Sequence, residues 1–247
     1  MPTSMPETCK ILSNTQIAQD IWKLELETAI ASDVQAGQFV MVAVPGFYLR
    51  RPISICDAKE NQLTLIYKVL GAGTKAMTQF GPGQFFEVEG PLGQGCPLPE
   101  GDEILLLGGG VGTPPMVLTA KQMLAAGKKV QVCLGFNTAA EVFGLDLFEQ
   151  LGVPAYVATM DGSAGTKGTV LDAIARHSIL TDTVFACGPL PMLKAVQKAY
   201  SKGWISLEER MGCGYGVCMG CVVPAAEGGS LRVCKDGPVF PLGKVVL

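Results

Sequence analysis

The amino-acid sequence predicts a multi-domain β plus α/β protein: an N-terminal antiparallel β-barrel over residues 1–98, a doubly wound parallel α/β domain over 99–205, and a small cysteine-rich module over 206–247. Three observations carry this expectation. Short apolar runs of strand length, separated by turn residues, fill the first segment. Strands alternate with helical segments in the second. Four of the nine cysteines crowd into the last.

In the first segment Ile21 to Glu27 alternates in its second half, Gln38 to Val44 is a compact apolar run, Leu63 to Val69 follows a turn, and Gln84 to Glu89 ends at Gly90-Pro91. Several such strands with no helix between them indicate a small closed barrel. The character changes at Pro97 to Asp102. Beyond it, strands are expected at Glu103 to Leu107, Lys129 to Leu134, Pro154 to Ala158 and Asp182 to Ala186. Helices are expected at Pro114 to Ala126, Leu145 to Leu151, Val170 to Arg176 and Pro191 to Ser201. This alternation is that of a parallel sheet covered on both faces. The tail from about Ile205 is too short to bury a core of its own and must lean on its neighbours.

Composition excludes several classes of function. Residues are 48% hydrophobic and 17% charged, with a net charge of −3, so there is no basic face for nucleic acid or an anionic membrane. Met1 to Lys10 lacks the basic and apolar segments of a secretory leader, and a cytoplasmic location is expected. Disulfides are not expected there, and Cys9, Cys56, Cys96 and Cys133 read as buried small hydrophobes. The sole histidine, His177, stands near a predicted helix end. With one histidine, a His-based triad or a two-His zinc site is hard to build, whereas hydride and electron transfer rest on cofactors.

The most specific signal is Cys213-Gly-Tyr-Gly-Val-Cys218-Met-Gly-Cys221, followed after a twelve-residue spacer by Cys234. Three sulfurs on one loop and a fourth from further along match the C-x4-C-x2-C…C arrangement of a 2Fe-2S cluster. Gly212, Gly214, Gly216 and Gly220 supply close wrapping and left-handed backbone. Zinc, a disulfide pair or free thiols are the alternatives; zinc usually pairs two short clips across the metal. A second signal is Gly108-Gly109-Gly110-Val111-Gly112-Thr113, between a buried strand and a helix that Pro114 or Pro115 can open. Such a turn can receive a dinucleotide pyrophosphate. Thr113 stands where a third glycine would fall, and a plain strand-to-helix turn is the competing interpretation. Cys187-Gly188-Pro189 is placed alike, after a strand and before a helix, so both turns would face the carboxyl edge of the sheet. No arginine follows the second strand to meet a 2′-phosphate, which favours NAD over NADP. In the barrel, Arg51-Pro52-Ile53-Ser54 offers a guanidinium for phosphate and a hydroxyl for a flavin edge, and equally reads as an ordinary strand start.

Taken together these motifs resemble the ferredoxin-NADP reductase superfamily over nearly the whole chain. Within it, the short cysteine tail is similar to that of the electron-transfer subunits of NAD-dependent, class 1B dihydroorotate dehydrogenases. The resemblance implies that Arg51, Pro52, Ile53 and Ser54, with Ile66, Tyr67, Lys68, Gly73 and Thr74, bind FAD. It implies that Gly108 to Thr113, with Gly188 and Pro189, hold NAD(H), and that Cys187 lies catalytically beside the nicotinamide and flavin rings. Cys213, Cys218, Cys221 and Cys234 become the cluster ligands, and Asp161 to Gly168 a further nucleotide-domain loop. It also implies a partner: an FMN-binding catalytic subunit that oxidises dihydroorotate to orotate in pyrimidine biosynthesis, assembled with this chain as a heterotetramer. Tyr215, Val217 and Met219 around the cysteine loop are candidates for that docking face, or for packing over the cluster. Two alternatives remain at this stage: a related reductase subunit serving a hydrogenase or a ferredoxin:NADP oxidoreductase, and a zinc-stabilised nucleotide-binding module without redox activity.

Overall fold

The computed structural model describes residues 6–247. Residues 1–5, the start of the segment expected to form the barrel and to lack a leader, lie outside the described residues. Strands β1 (Glu7–Ala18), β2 (Ile21–Glu27), β3 (Phe39–Val42), β4 (Arg51–Lys59), β5 (Gln62–Lys68) and β6 (Phe85–Leu92) close into a barrel of order β1-β2-β5-β4-β3-β6. Alternation along these strands turns Ile11, Leu24, Leu26, Val40, Val42, Ile55, Leu63, Leu65 and Val88 into one core. Burial of this apolar surface is the main favourable contribution to the barrel.

The barrel segment is not all strand. A short helix, α1 (Ala72–Met77), and a 3-10 turn at Ala29–Asp33 pack Met77, Ile30 and Ala31 into its core. The Thr28 side chain caps the 3-10 turn by accepting from Ile30 N at 3.2 Å. Helix α1 is too short for a hydrophobic period to register in the sequence. Strand β1 also carries little signal, because only Cys9 and Ile11 along it are fully buried.

The second unit contains β7 (Glu103–Gly109), α2 (Pro114–Ala125), β8 (Lys129–Phe136), α3 (Leu145–Gln150), β9 (Ala155–Thr159), β10 (Thr166–Lys167), α4 (Val170–Arg176), β11 (Thr183–Cys187), α5 (Leu190–Ala199) and β12 (Lys202–Ser206). β10, β9, β8, β7, β11 and β12 run parallel in that order. The order in which strands are added reverses between β7 and β11, and the carboxyl ends of these two parallel strands flank the switch point where ligands bind in such sheets. Their side chains are buried on both faces, which accounts for the unbroken apolar run in β7.

The tail holds β13 (Val222–Pro224), β14 (Ser230–Arg232), α6 (Val233–Asp236) and β15 (Val239–Pro241). It does not form a separate core. β15 pairs antiparallel with β12 and becomes the seventh strand of the sheet. Phe39, Met41 and Leu92 of the barrel pack in one cluster with Cys221, Val223, Val233 and Cys234 of the tail and with Val184 and Ile205 of the sheet. Backbone pairing of Gln94 N with Gly237 O at 2.6 Å ties the tail to the barrel. The barrel and sheet are joined by the Lys121–Asp57 ion pair and by Gln122, which accepts from Ala36 N at 3.1 Å and donates to Cys96 O at 3.0 Å. Cys9, Cys56, Cys96 and Cys133 are all buried, as small hydrophobes would be.

Candidate functional site

A cleft of about 600 Å³ opens where the three parts meet. Its walls come from β4 (Arg51, Pro52, Ile53, Ser54), from β5 (Ile66, Tyr67, Lys68), and from Leu70 and Thr74 beside α1. Val111 of the glycine turn and the segment Leu207 to Met211 complete it. Motif residues from two separate strands therefore share one wall, because β4 and β5 are neighbours in the barrel.

Positive charge gathers at one end. Arg51 lies over the Phe47 ring at 5.1 Å and donates from Nη1 to Leu49 O at 2.6 Å. A Cβ on Gly73 would overlap the Arg51 guanidinium, so only glycine leaves that arginine its place. Arg50 pairs with Glu87 at 3.2 Å and Glu89 at 3.6 Å, yet its Nη1 is buried with no hydrogen-bond partner among the described residues. An orphaned guanidinium nitrogen next to a second arginine fits the diphosphate of a flavin dinucleotide. The long, largely apolar remainder of the cleft fits its ring system.

Three implied flavin contacts have other engagements. Tyr67 is buried, and its hydroxyl donates to Asn14 Oδ1 at 3.1 Å. The Thr74 hydroxyl accepts from Leu70 N at 3.0 Å and Gly71 N at 3.2 Å, closing the start of α1. Lys68 reaches across to Glu141 at 3.3 Å, whose other carboxylate oxygen accepts from Asn137 N and Nδ2 just beyond β8. That ion pair bridges the flavin wall and the carboxyl edge of the sheet.

The glycine turn differs from its sequence picture. Gly108 and Gly109 belong to the end of β7, and Gly110 to Gly112 form a 3-10 turn before α2 starts at Pro114. A Cβ on Gly109 would stand 2.6 Å from Met192 Sδ and 2.8 Å from Pro189 Cδ, and one on Gly112 would strike the Cys187 carbonyl. Gly188 in turn approaches Gly109 so closely that its own Cβ would lie 2.9 Å from Gly109 Cα. The two turns are thus packed backbone to backbone. Gly110, at φ +52°, has open space around it. Thr113 is fully buried, its Oγ1 without a partner among the described residues, and its Cα sits against Gly108. It is part of the packing under the turn and not of its exposed rim. Cys187 is also fully buried, at the end of β11 and beneath this junction. Burial raises its pKa, and it therefore stays a neutral thiol.

Sequence reasoning did not single out Leu207 to Met211, which carry the chain from β12 along the cleft to Cys213. Glu208 borders the cleft with its side chain exposed, and the crowding of the cleft walls around it raises its carboxyl pKa. No motif marks it; only the pairing of β12 with β11 brings it there.

Four residues on, the cysteine loop begins. Gly214 and Gly216 have φ of +77° and +79°. Gly212 and Gly220 do not share that conformation, and the third left-handed residue is Met219 at φ +58°. At Gly212 the reason is space: a Cβ there would press on Cys218 Sγ at 3.1 Å. Backbone amides point at sulfur, from Tyr215 to Cys213 at 3.3 Å, from Gly220 to Cys218 at 3.4 Å and from Cys234 to Cys221 at 3.4 Å. Burial raises the Cys213 pKa, but the Cys218 amide and thiol and the amides of Val217 and Gly216 outweigh it and bring the thiol below its usual range. Burial, then the Cys221 thiol, pushes Cys234 up to about 12. Cys213 thus neighbours Cys218, and Cys221 neighbours Cys234, with Cys213 also near enough to act on Cys234. Among the described residues no three His, Cys, Asp or Glu side chains converge as ligands of a single ion would. Two thiol pairs with amides aimed at sulfur suit the two irons of a 2Fe-2S cluster. Val217 and Met219 are exposed beside Cys218, whereas Tyr215 packs against the core.

A flavin cleft on a barrel, a dinucleotide turn on a parallel sheet and a two-iron loop between them define a flavin- and nicotinamide-linked iron–sulfur reductase. Comparison with known proteins narrows this. Residues 208–246 match the iron-sulfur cluster binding domain of dihydroorotate dehydrogenase B, and residues 106–198 match the oxidoreductase NAD-binding domain. The electron transfer subunit of dihydroorotate dehydrogenase B (NAD(+)) from Shouchella clausii is 44% identical over 251 residues, covering 96% of both chains. That of Bacillus cereus is 43% identical over 252 residues, 96% of this chain and 97% of the relative. The chain belongs to this family of dihydroorotate dehydrogenase B electron-transfer subunits. Among solved structures, an NADH-dependent reduced ferredoxin-NADP oxidoreductase superposes with a TM-score of 0.88 at 29% identity, over 96% of this chain and 89% of that one. An Amycolatopsis cytochrome P450 reductase shares the fold, with a TM-score of 0.68 at 24% identity, over 80% of this chain and 66% of that one.

Proposed function

We propose that this chain passes electrons between NAD(H) and an FMN-binding catalytic subunit that converts dihydroorotate to orotate, in the cytoplasm and within a heterotetramer. When bound, NAD exchanges hydride with FAD, FAD trades two-electron for one-electron transfer, and the cluster carries single electrons. One observation carries the proposal. The segment Leu207 to Met211 lines the cleft and runs directly into Cys213, while Val111 of the glycine turn lines the same cleft from the other side.

Each group of residues then has a task. Arg51 anchors the flavin diphosphate, with Gly73 leaving it room and Thr74 shaping the adjoining turn. Pro52, Ile53, Ser54, Ile66, Tyr67 and Lys68 form the wall for the ring system. Gly108, Gly109 and Gly112, with Gly188 and Pro189, bring the turns after β7 and β11 together, so that Gly110 and Val111 present backbone to NAD(H); Thr113 supports them from below. Cys187 backs the hydride-transfer junction as a neutral thiol. Cys213, Cys218, Cys221 and Cys234 hold the cluster, and exposed Val217 and Met219 form the docking face for the catalytic subunit. No helix among the described residues is long and apolar enough to cross a membrane.

The test is an anaerobic visible spectrum of the purified chain, with iron and acid-labile sulfide assayed, before and after NADH. Flavin and iron–sulfur bands that bleach with NADH, and recover on adding the catalytic subunit with orotate, support the proposal. A colourless, zinc-containing protein would refute it. Bleaching without recovery would favour a second acceptor, in line with the 29% likeness to the ferredoxin-NADP oxidoreductase.

A further inference from the structure

The three-cysteine loop and the turn that carries Cys234 are bridged by the Arg232 side chain. Arg232 ends β14, two residues before Cys234. Its Nη1 donates to Gly216 O at 3.0 Å, midway between Cys213 and Cys218. The rest of its guanidinium is taken by Asp236, with Nε at 3.0 Å from Oδ2 and Nη2 at 3.2 Å from Oδ1. Asp236 Oδ2 also accepts from the Arg232 backbone N at 2.8 Å. The arginine is thus held in both position and plane, which a flexible lysine cannot match. Lys235 adds a second hold, since its aliphatic stem occupies the space a Cβ on Gly216 would need, 2.6 Å from Cδ. Gly216, left-handed and without a side chain, is therefore gripped by Arg232 and by Lys235 of the short helix that follows it.

We propose that Arg232, locked by Asp236, is a positioning residue for the cluster: it clasps the Cys213–Cys218 pair to the Cys221–Cys234 pair and sets a fixed positive charge beside them. The inference rests on the four cysteines holding a 2Fe-2S cluster. Outer contacts of this kind orient ligands and commonly change metal retention by about 10-fold to 100-fold. Four thiolates make the centre anionic, and reduction adds one more electron, so a nearby cation favours the reduced form. Asp236 partly cancels that charge, and its neutralisation acts in the opposite direction.

The experiment uses the full chain with FAD and cluster in place, as wild type, R232Q, R232K and D236N. Iron and acid-labile sulfide are followed against a chelator, the midpoint potential by titration, and the reduced cluster by electron paramagnetic resonance. FAD content and flavin reduction by NADH serve as folding controls. R232Q should lose iron about tenfold faster and titrate at a more negative potential, on the order of a threefold change in the reduction equilibrium. R232K should recover the potential but not the retention, since it keeps the charge and lacks the fork. D236N should titrate more positive. Wild-type retention and potential in R232Q would overturn the clasp. If R232Q keeps FAD but purifies without iron, the D236N potential decides: a positive shift sustains the inference and an unchanged one overturns it. A wild-type chain without iron or sulfide would instead refute the cluster assignment itself.

Discussion

The turn at residues 108–113 and the loop at 212–220 are both rich in glycine, but they need it for different reasons. In the first, Gly109 and Gly112 face another part of the chain, and what forbids a side chain is the backbone and packed side chains of the residues 187–192 region. In the second, Gly214 and Gly216 take a left-handed backbone that other residues adopt only at a cost of roughly 1–2 kcal/mol. The first pair is dictated by tertiary approach alone; the second adds a left-handed backbone to close approach, since a Cβ on Gly214 would lie 2.9 Å from Met41 Cγ and one on Gly216 2.6 Å from Lys235 Cδ. The nucleotide turn is therefore sensitive to the position of β11, while the cluster loop depends both on its own backbone conformation and on the barrel and the Lys235 stem packed against it.

Breaking each region should give a distinct failure. The largest effect is expected from Cys218→Ser, which removes a ligand from the cluster loop alone. NADH should still bleach the flavin at close to the wild-type rate, while onward transfer to the catalytic subunit falls by about two orders of magnitude or more. Stopped-flow reduction set beside a coupled assay with that subunit checks this; loss of flavin reduction as well would place the cluster before FAD. Gly112→Ala should do the reverse. Its Cβ meets a carbonyl that cannot swing aside, so we expect a stability loss of about 1–3 kcal/mol and weaker NADH binding, with iron content unchanged. Thermal melts and an NADH titration read both.

Two milder changes sharpen the contrast. Gly110→Ala has open space but a left-handed backbone, and should cost about 1 kcal/mol without disturbing the β7–β11 junction. If it proves as damaging as Gly112→Ala, the distinction between approach and conformation fails. The smallest effect concerns Glu208, on the cleft wall between the two regions. Its carboxyl is raised by desolvation, so its folded pKa exceeds the unfolded one. The stability it contributes is then complete below the ordinary carboxylate range and is lost as pH rises through the raised value. Glu208→Gln should flatten that stretch of a melting-temperature series against pH; an unaltered profile would show that Glu208 titrates as an ordinary carboxylate.

Much of this was legible from residue order. Apolar runs bounded by glycine and proline announced most barrel strands, and the alternation after residue 100 announced the sheet. β1 escaped because its outward positions are polar and few of its residues are buried, and α1 because six residues cannot show a helical period. Gly212 and Gly220 read as conformational glycines, yet neither is left-handed, and Gly212 instead keeps a side chain off Cys218. Leu207 to Glu209 gave no chemical signal, since their importance lies in the cleft they border.

The sequence by itself determined the thiol spacing, the glycine-bearing turns and the identity of each domain's repeating pattern, because spacing and periodicity are local properties of a chain. Only the tertiary structure decided that β15 would cross back to β12, that Arg232 would reach Gly216, and that Val111, Arg51 and Met211 would face one cleft. Those contacts join residues far apart along the chain. Their existence depends on strand order and on packing surfaces that no local pattern encodes.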